Sequence, residues 1–150
     1  MRTPREDFAQ FLEADYDHLS LSSVVSHYLS SLEKEPRGNI LRLHYRDMQR
    51  DLAGAFAQIA DHVGITHPPD LIAEMVVAAT FENMKANADR FAPSAGQGVW
   101  RDDAGFFDSA TSNKWEGQLN DTDLAAYDAT IAKLLSPKQR AWLEWGHDAP

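Results

Sequence analysis

One short apolar run constrains this chain more than any other stretch: Ile40-Leu41-Arg42-Leu43-His44, preceded by the breaker residues Pro36, Gly38 and Asn39. It is too short for a helix of its own and has the length of a strand, about 4–8 residues. We read a strand from Ile40 to His44. Tyr45 then falls at its C-terminal end, where open α/β sheets place their ligands. Asp47 is positioned to N-cap the segment that follows. No second stretch reads convincingly as a strand. A strand must pair its backbone donors and acceptors. The expectation is therefore a sheet completed outside this sequence or by another chain.

Everything around the strand reads as helix or loop. Phe8, Phe11 and Leu12 form an i, i+3, i+4 stripe over Asp7–Ala14. Leu21, Val24, Val25, Tyr28, Leu29 and Leu32 share one face of a helix over His18–Lys34. Leu52–Val63 is periodic and closes on Gly64, a natural residue just past a helix end. Pro68-Pro69-Asp70 opens the next helix, and Phe81–Ala86 follows almost directly. Residues 92–117 carry Gly, Pro and Ser without clear periodicity and read as a long loop, a length that is uncommon unless it is functional. Asn120-Asp121-Thr122-Asp123 starts a helix with an acidic first turn, and Ser136-Pro137 starts the last one, which ends near Trp145-Gly146. The expected architecture is a mainly helical α/β fragment, about six or seven helices around one strand near residues 40–44, in one partial domain over residues 1–150.

Composition narrows the function classes. The 150 residues carry a formal net charge of −9 and no cysteine. That acidity argues against nucleic acid as the main partner, and the missing thiols exclude disulfides and thiolate metal sites. No stretch approaches the 18 or so apolar residues of a membrane span, and the charged N-terminal residues lack a signal-peptide core. A cytoplasmic location is the default expectation. The six histidines, His18, His27, His44, His62, His67 and His147, form no His-x-x-x-His pair, so no metal site is expected. Gly96-Gln97-Gly98 follows no strand and does not make a dinucleotide fingerprint.

What remains is a set of aromatic and polar side chains: Tyr45, Phe81, Met84, Lys85, Asn113, Lys114 and Trp115. Aromatic faces stack on a base, and amides and ammonium groups meet phosphate, so this set has the chemistry of a purine nucleotide pocket. Taken singly, each also fits an ordinary core or surface role.

Three segments carry a resemblance. Leu43-His44-Tyr45-Arg46-Asp47-Met48 resembles the strand-end motif of the sulfotransferases that use 3′-phosphoadenosine 5′-phosphosulfate. There, an aromatic residue and an acidic one two positions on end a strand of the central sheet. His62-Val63-Gly64 stands where the next helix of that family commonly ends in Phe-Leu-Gly. Thr80-Phe81-Glu82-Asn83-Met84-Lys85-Ala86-Asn87 resembles the family's hydroxyl-Phe-x-x-Met-Lys-x-Asn segment. Phe106 to Gly117 is similar to its C-terminal 3′-phosphate segment, in a bacterial style. The motifs stand in family order and at family-like spacing, over roughly Phe8 to Gly146.

The resemblance implies the C-terminal half of a sulfotransferase-type parallel-sheet domain. It implies that Tyr45 contacts the adenine edge and that Phe81 stacks on the ring, with Met84 packing nearby. Ser109, Thr111, Ser112, Asn113, Lys114 and Trp115 would wrap the 3′-phosphate. Two residues depart from the family pattern: Asp108 would repel a phosphate, and Ala110 replaces a usual glycine. Nothing before Asn39 resembles the family's 5′-phosphosulfate loop, its catalytic lysine or its catalytic histidine. The expectation is a chain with no catalytic residue of its own and weak or absent donor binding. Its partner would be the missing N-terminal half or a second copy, and a small-molecule acceptor would enter once the site is completed. The competing expectation is a non-catalytic relative acting as a binding or interaction module.

Overall fold

Short polar residues fix where the helices begin. Thr3 Oγ1 accepts the Glu6 N–H at 3.3 Å while the Glu6 carboxylate accepts the Thr3 N–H at 2.7 Å, a reciprocal cap with Pro4 behind it. Asn120 with Asp123, and Ser136 with Gln139, repeat the device, and Ser20 and Thr80 cap through their hydroxyls alone. Each such cap is worth about 1 kcal/mol. The computed structural model describes residues 2–15, 19–99, 102–107, 109 and 111–148. Its α-helices are α1 (Pro4–Glu13), α2 (Leu21–Lys34), α3 (Tyr45–Arg50), α4 (Leu52–His62), α5 (Pro69–Ala78), α6 (Phe81–Ala86), α7 (Ala88–Phe91), α8 (Asp121–Leu134) and α9 (Pro137–Trp145). Short 3-10 turns cover Glu35–Arg37, Asp103–Phe106 and Gly146–Asp148. No helix among the described residues is long and apolar enough to cross a membrane.

These elements form two compact units, residues 1–51 with 114–150, and residues 52–113. In the first, α2 and α8 bury Leu21, Val25, Tyr28, Ile131 and Leu135, with Phe11, Leu12, Tyr127 and Trp142 packed around them. Arg5 of α1 reaches Asp123 of α8 through two bonds, at 2.6 and 3.1 Å, so Asp123 serves both a helix cap and an ion pair. In the second, α4 packs on α5, and Ala88, Ala92 and Phe107 form a small core with Phe81, Met84, Ala95 and Ala104.

The helices expected from the sequence are present, with two short additions, α3 and α7, of six and four residues. Tyr45–Arg50 carries no apolar stripe and Ala88–Phe91 is barely one turn, so neither shows a helical period. Pro4 and the Thr3 cap start α1 earlier than the apolar stripe does. Ser20 caps α2 at Leu21; the expected start at His18 lies outside the described residues.

The strand differs most. Residues 39–44 are not helical, yet they pair with no strand among the described residues. A strand is defined by its neighbour, and these residues supply none. The segment keeps the alternation of an extended chain. Arg42 and His44, two apart, both meet Trp142, the first with its guanidinium 5.1 Å from the ring centre, the second edge-on at 5.5 Å. Asp47 is not the N-cap of α3. His44 is: its Nδ1 accepts the Arg46 N–H at 3.2 Å. His44 Nε2 lies 3.1 Å from the Leu143 carbonyl, so the neutral tautomer that serves both bonds carries its proton on Nε2.

Candidate functional site

Thr80 starts the segment that carries Phe81. Its Oγ1 accepts the Asn83 N–H at 3.3 Å and donates to the Val77 carbonyl at 2.9 Å. Phe81 is therefore the first residue of α6, and Met84, three positions on, shares its face. Six residues do not hold a helix alone. Side-chain amides add support, Asn83 to the Ala78 carbonyl at 2.9 Å and Asn87 to the Asn83 carbonyl at 2.8 Å. Packing completes it. Phe107 meets Phe81 edge-to-face, with ring centres 6.2 Å apart at 74°, and Phe106 braces Phe107 in turn at 5.1 Å. Lys85 Nζ lies 5.6 Å from the Phe81 ring centre, close enough for cation–π attraction.

The chain leaves Phe107 into the hydroxyl-bearing segment. Ser109 and Thr111 share a hydrogen bond of 3.0 Å, and Asn113 adopts a left-handed φ of 63°, which an asparagine tolerates better than most residues. Phe81, Met84, Ser109, Thr111, Ser112 and Asn113 thus belong to one unit. Asp108 and Ala110 lie outside the described residues. Lys114, Trp115 and Tyr45 belong to the other unit. There Trp115 is half-exposed, and its carbonyl accepts the N–H groups of Gln118 and Leu119 at 2.9 and 3.1 Å.

Tyr45 opens α3, and its neighbours are all engaged. Arg46 stacks on Trp145, with 4.5 Å from its guanidinium carbon to the ring centre. Asp47 accepts the His147 backbone N–H at 3.1 Å, sits 2.7 Å from His147 Nδ1, and pairs with Arg50. Burial pushes the Asp47 carboxyl up, but the bonds from His147 and Arg50 outweigh it and hold it below the usual carboxylate range. Tyr127 moves the other way: burial, then its hydrogen bond of 2.9 Å to Glu144, pushes its phenol well above the ordinary value. Among the described residues no three His, Cys, Asp or Glu side chains gather as a metal site.

Two participants have no clear signal in the sequence. Phe107 lies within the Phe106–Gly117 segment, but local pattern gives its ring no role there. His147 meets Asp47 from 100 positions away.

The Sulfotransferase domain profile matches residues 1–139. The chain belongs to the sulfotransferase domain family. A glycolipid sulfotransferase of Mycobacterium bovis is 27% identical over 157 aligned positions, covering 97% of this chain and 48% of the relative. A glycolipid sulfotransferase of Mycobacterium tuberculosis matches with the same identity and coverage. The mouse Sulfotransferase 2A6 is 32% identical over 80 positions, covering 53% of this chain and 27% of the relative. This sulfotransferase-family chain thus spans about half the length, or less, of the curated relatives it matches. No solved structure matches it significantly.

Proposed function

We propose that this chain supplies the adenine and 3′-phosphate side of a sulfotransferase using 3′-phosphoadenosine 5′-phosphosulfate. The observation that carries the reading is Phe107. It braces Phe81, the proposed base-stacking ring, and it leads directly into Ser109–Asn113, the proposed 3′-phosphate segment. Lys85 beside the Phe81 ring adds positive charge to an otherwise acidic chain. The two compact units are read as parts of one partial domain, because the family match runs through both. In the complete fold, residues 40–44 would join a parallel sheet as one strand.

In the full reaction the sulfur–oxygen bond to the donor phosphate breaks and a new bond forms from sulfur to an acceptor oxygen or nitrogen. The acceptor proton passes to a base, and adenosine 3′,5′-bisphosphate leaves. A base and an electrostatic clamp on the moving group are required. The reading places both outside residues 1–150, in the part of the relatives' length that this chain does not span. A glycolipid hydroxyl is the acceptor to try first, since the mycobacterial relatives are named for glycolipids.

Calorimetry with adenosine 3′,5′-bisphosphate tests the reading. Base–aromatic stacking contributes about 1–3 kcal/mol. With few phosphate donors among these residues, the chain alone should bind no tighter than roughly the millimolar range. Phe81→Ala should abolish that binding. Micromolar affinity untouched by Phe81→Ala overturns the assignment.

A second reading, a non-catalytic interaction module, is favoured by α5. Leu71, Met75 and Val77 are exposed on a helix that is apolar nearly all round. Association with a partner polypeptide that yields no sulfated product and no bisphosphate binding would support it.

A further inference from the structure

The residues flanking Tyr45 are all held by one part of the chain. His44 bonds the Leu143 carbonyl at 3.1 Å and meets Trp142 edge-on. Arg46 lies on Trp145. Asp47 takes the His147 backbone N–H on both oxygens, at 3.1 and 3.3 Å, and the His147 ring on one, at 2.7 Å. Leu143, Trp142 and Trp145 belong to α9, and His147 lies in the turn that follows it.

Gly146 makes the approach possible. It has φ of +76°, and a Cβ there would stand 2.7 Å from both Asp47 carboxylate oxygens. Helix α3 has only six residues and packs on this same turn, so its first turn depends on these bonds rather than on its own propensity. Tyr45 itself stays 57% exposed. Burial does not fix Tyr45, whereas His44, Arg46 and Asp47 around it are each anchored.

We propose that α9 and the Gly146–His147 turn form a clamp that sets the orientation of Tyr45, with Asp47 and His147 as its positioning residues. This rests on the function proposed above only in giving Tyr45 an adenine edge to meet. The clamp itself is a property of the free chain.

Fluorine NMR on the full chain labelled with 3-fluorotyrosine tests it, the Tyr45 line being assigned by Tyr45→Phe. His147→Ala is the main variant, because the side chain is 69% exposed and the backbone N–H to Asp47 survives. The Tyr45 line should sharpen and move toward free fluorotyrosine, while the lines of the packed Tyr28 and Tyr127 stay in place. Exchange of the Met48 amide, which donates to the His44 carbonyl, should quicken by about threefold or more. His147→Asn, which restores a donor near the Nδ1 position, should recover the original line. A Tyr45 line unmoved by both His147→Ala and Asp47→Asn overturns the clamp. So does a shift in which Tyr28 and Tyr127 move equally, which marks a structural role alone.

Titration with adenosine 3′,5′-bisphosphate then forms a double-mutant cycle. His147→Ala should weaken binding in the wild-type background and change nothing in Tyr45→Ala. Additive losses overturn the positioning role. No binding to the wild type overturns the nucleotide reading instead and leaves the spectra to decide the clamp.

Discussion

Asp47 shows how a single side chain can be misread from its neighbours and still matter. Its place in the sequence suits a helix cap, yet its carboxylate is spent on the His147 turn and Arg50. Because those bonds lower its folded pKa, Asp47 contributes stability above the unfolded value of about 3.9 and loses it as pH falls through the lower folded value. Asp123, held down by the bond from Arg5, and Glu6, held down by Thr3, add to the same acid slope. Comparing wild type with Asp47→Asn isolates one share. The variant should be less stable at neutral pH, and its loss of stability between about pH 5 and pH 2 should be shallower. Urea unfolding across that range measures it, and parallel curves would show that Asp47 carries no linkage.

Helix α6 illustrates dependence at the level of the element. Its cap and amide bonds are local, but its apolar face rests on a single aromatic side chain, Phe107, within a core otherwise made of alanines. Phe107→Ala removes a buried aromatic, a change that costs about 3–5 kcal/mol in well-packed cores. The cost here should fall on one unit. Amide exchange should accelerate across α6 and α7 while α2 and α8, which pack on Leu21, Val25 and Ile131, keep their protection. Uniform acceleration through all four helices would mean that the two small cores unfold together.

For the molecule as a whole, the large apolar side chains left in water bear on association. Val63, Ile65, Met75 and Val77 are exposed within residues 52–113, and residues 39–44 meet no neighbouring strand among the described residues. An unpaired extended segment is a template for pairing with another chain. The chain alone should therefore self-associate, and it should form no sulfated product with labelled donor and a panel of phenols, alcohols, amines and glycolipids. Leu41→Pro, which removes a backbone donor, should weaken the association. Light scattering that finds a monodisperse monomer at tens of micromolar, with cooperative unfolding, would overturn the expectation.

What the sequence determined alone is local. Thr80 before Phe81, Ser136 before Pro137 and Asn120 before its acidic turn set helix starts, because caps act within three residues. The family was legible too, since its three motifs are runs of adjacent residues. The site was legible only as a set of residue types. Which of them meet depends on contacts far apart along the chain: Phe107 against Phe81, His147 on Asp47, Trp142 between Tyr28 and His44. The apolar run 40–44 shows the limit most clearly. Its residues favour an extended backbone, but a ladder bond needs a second strand, and no propensity in one segment can supply its neighbour.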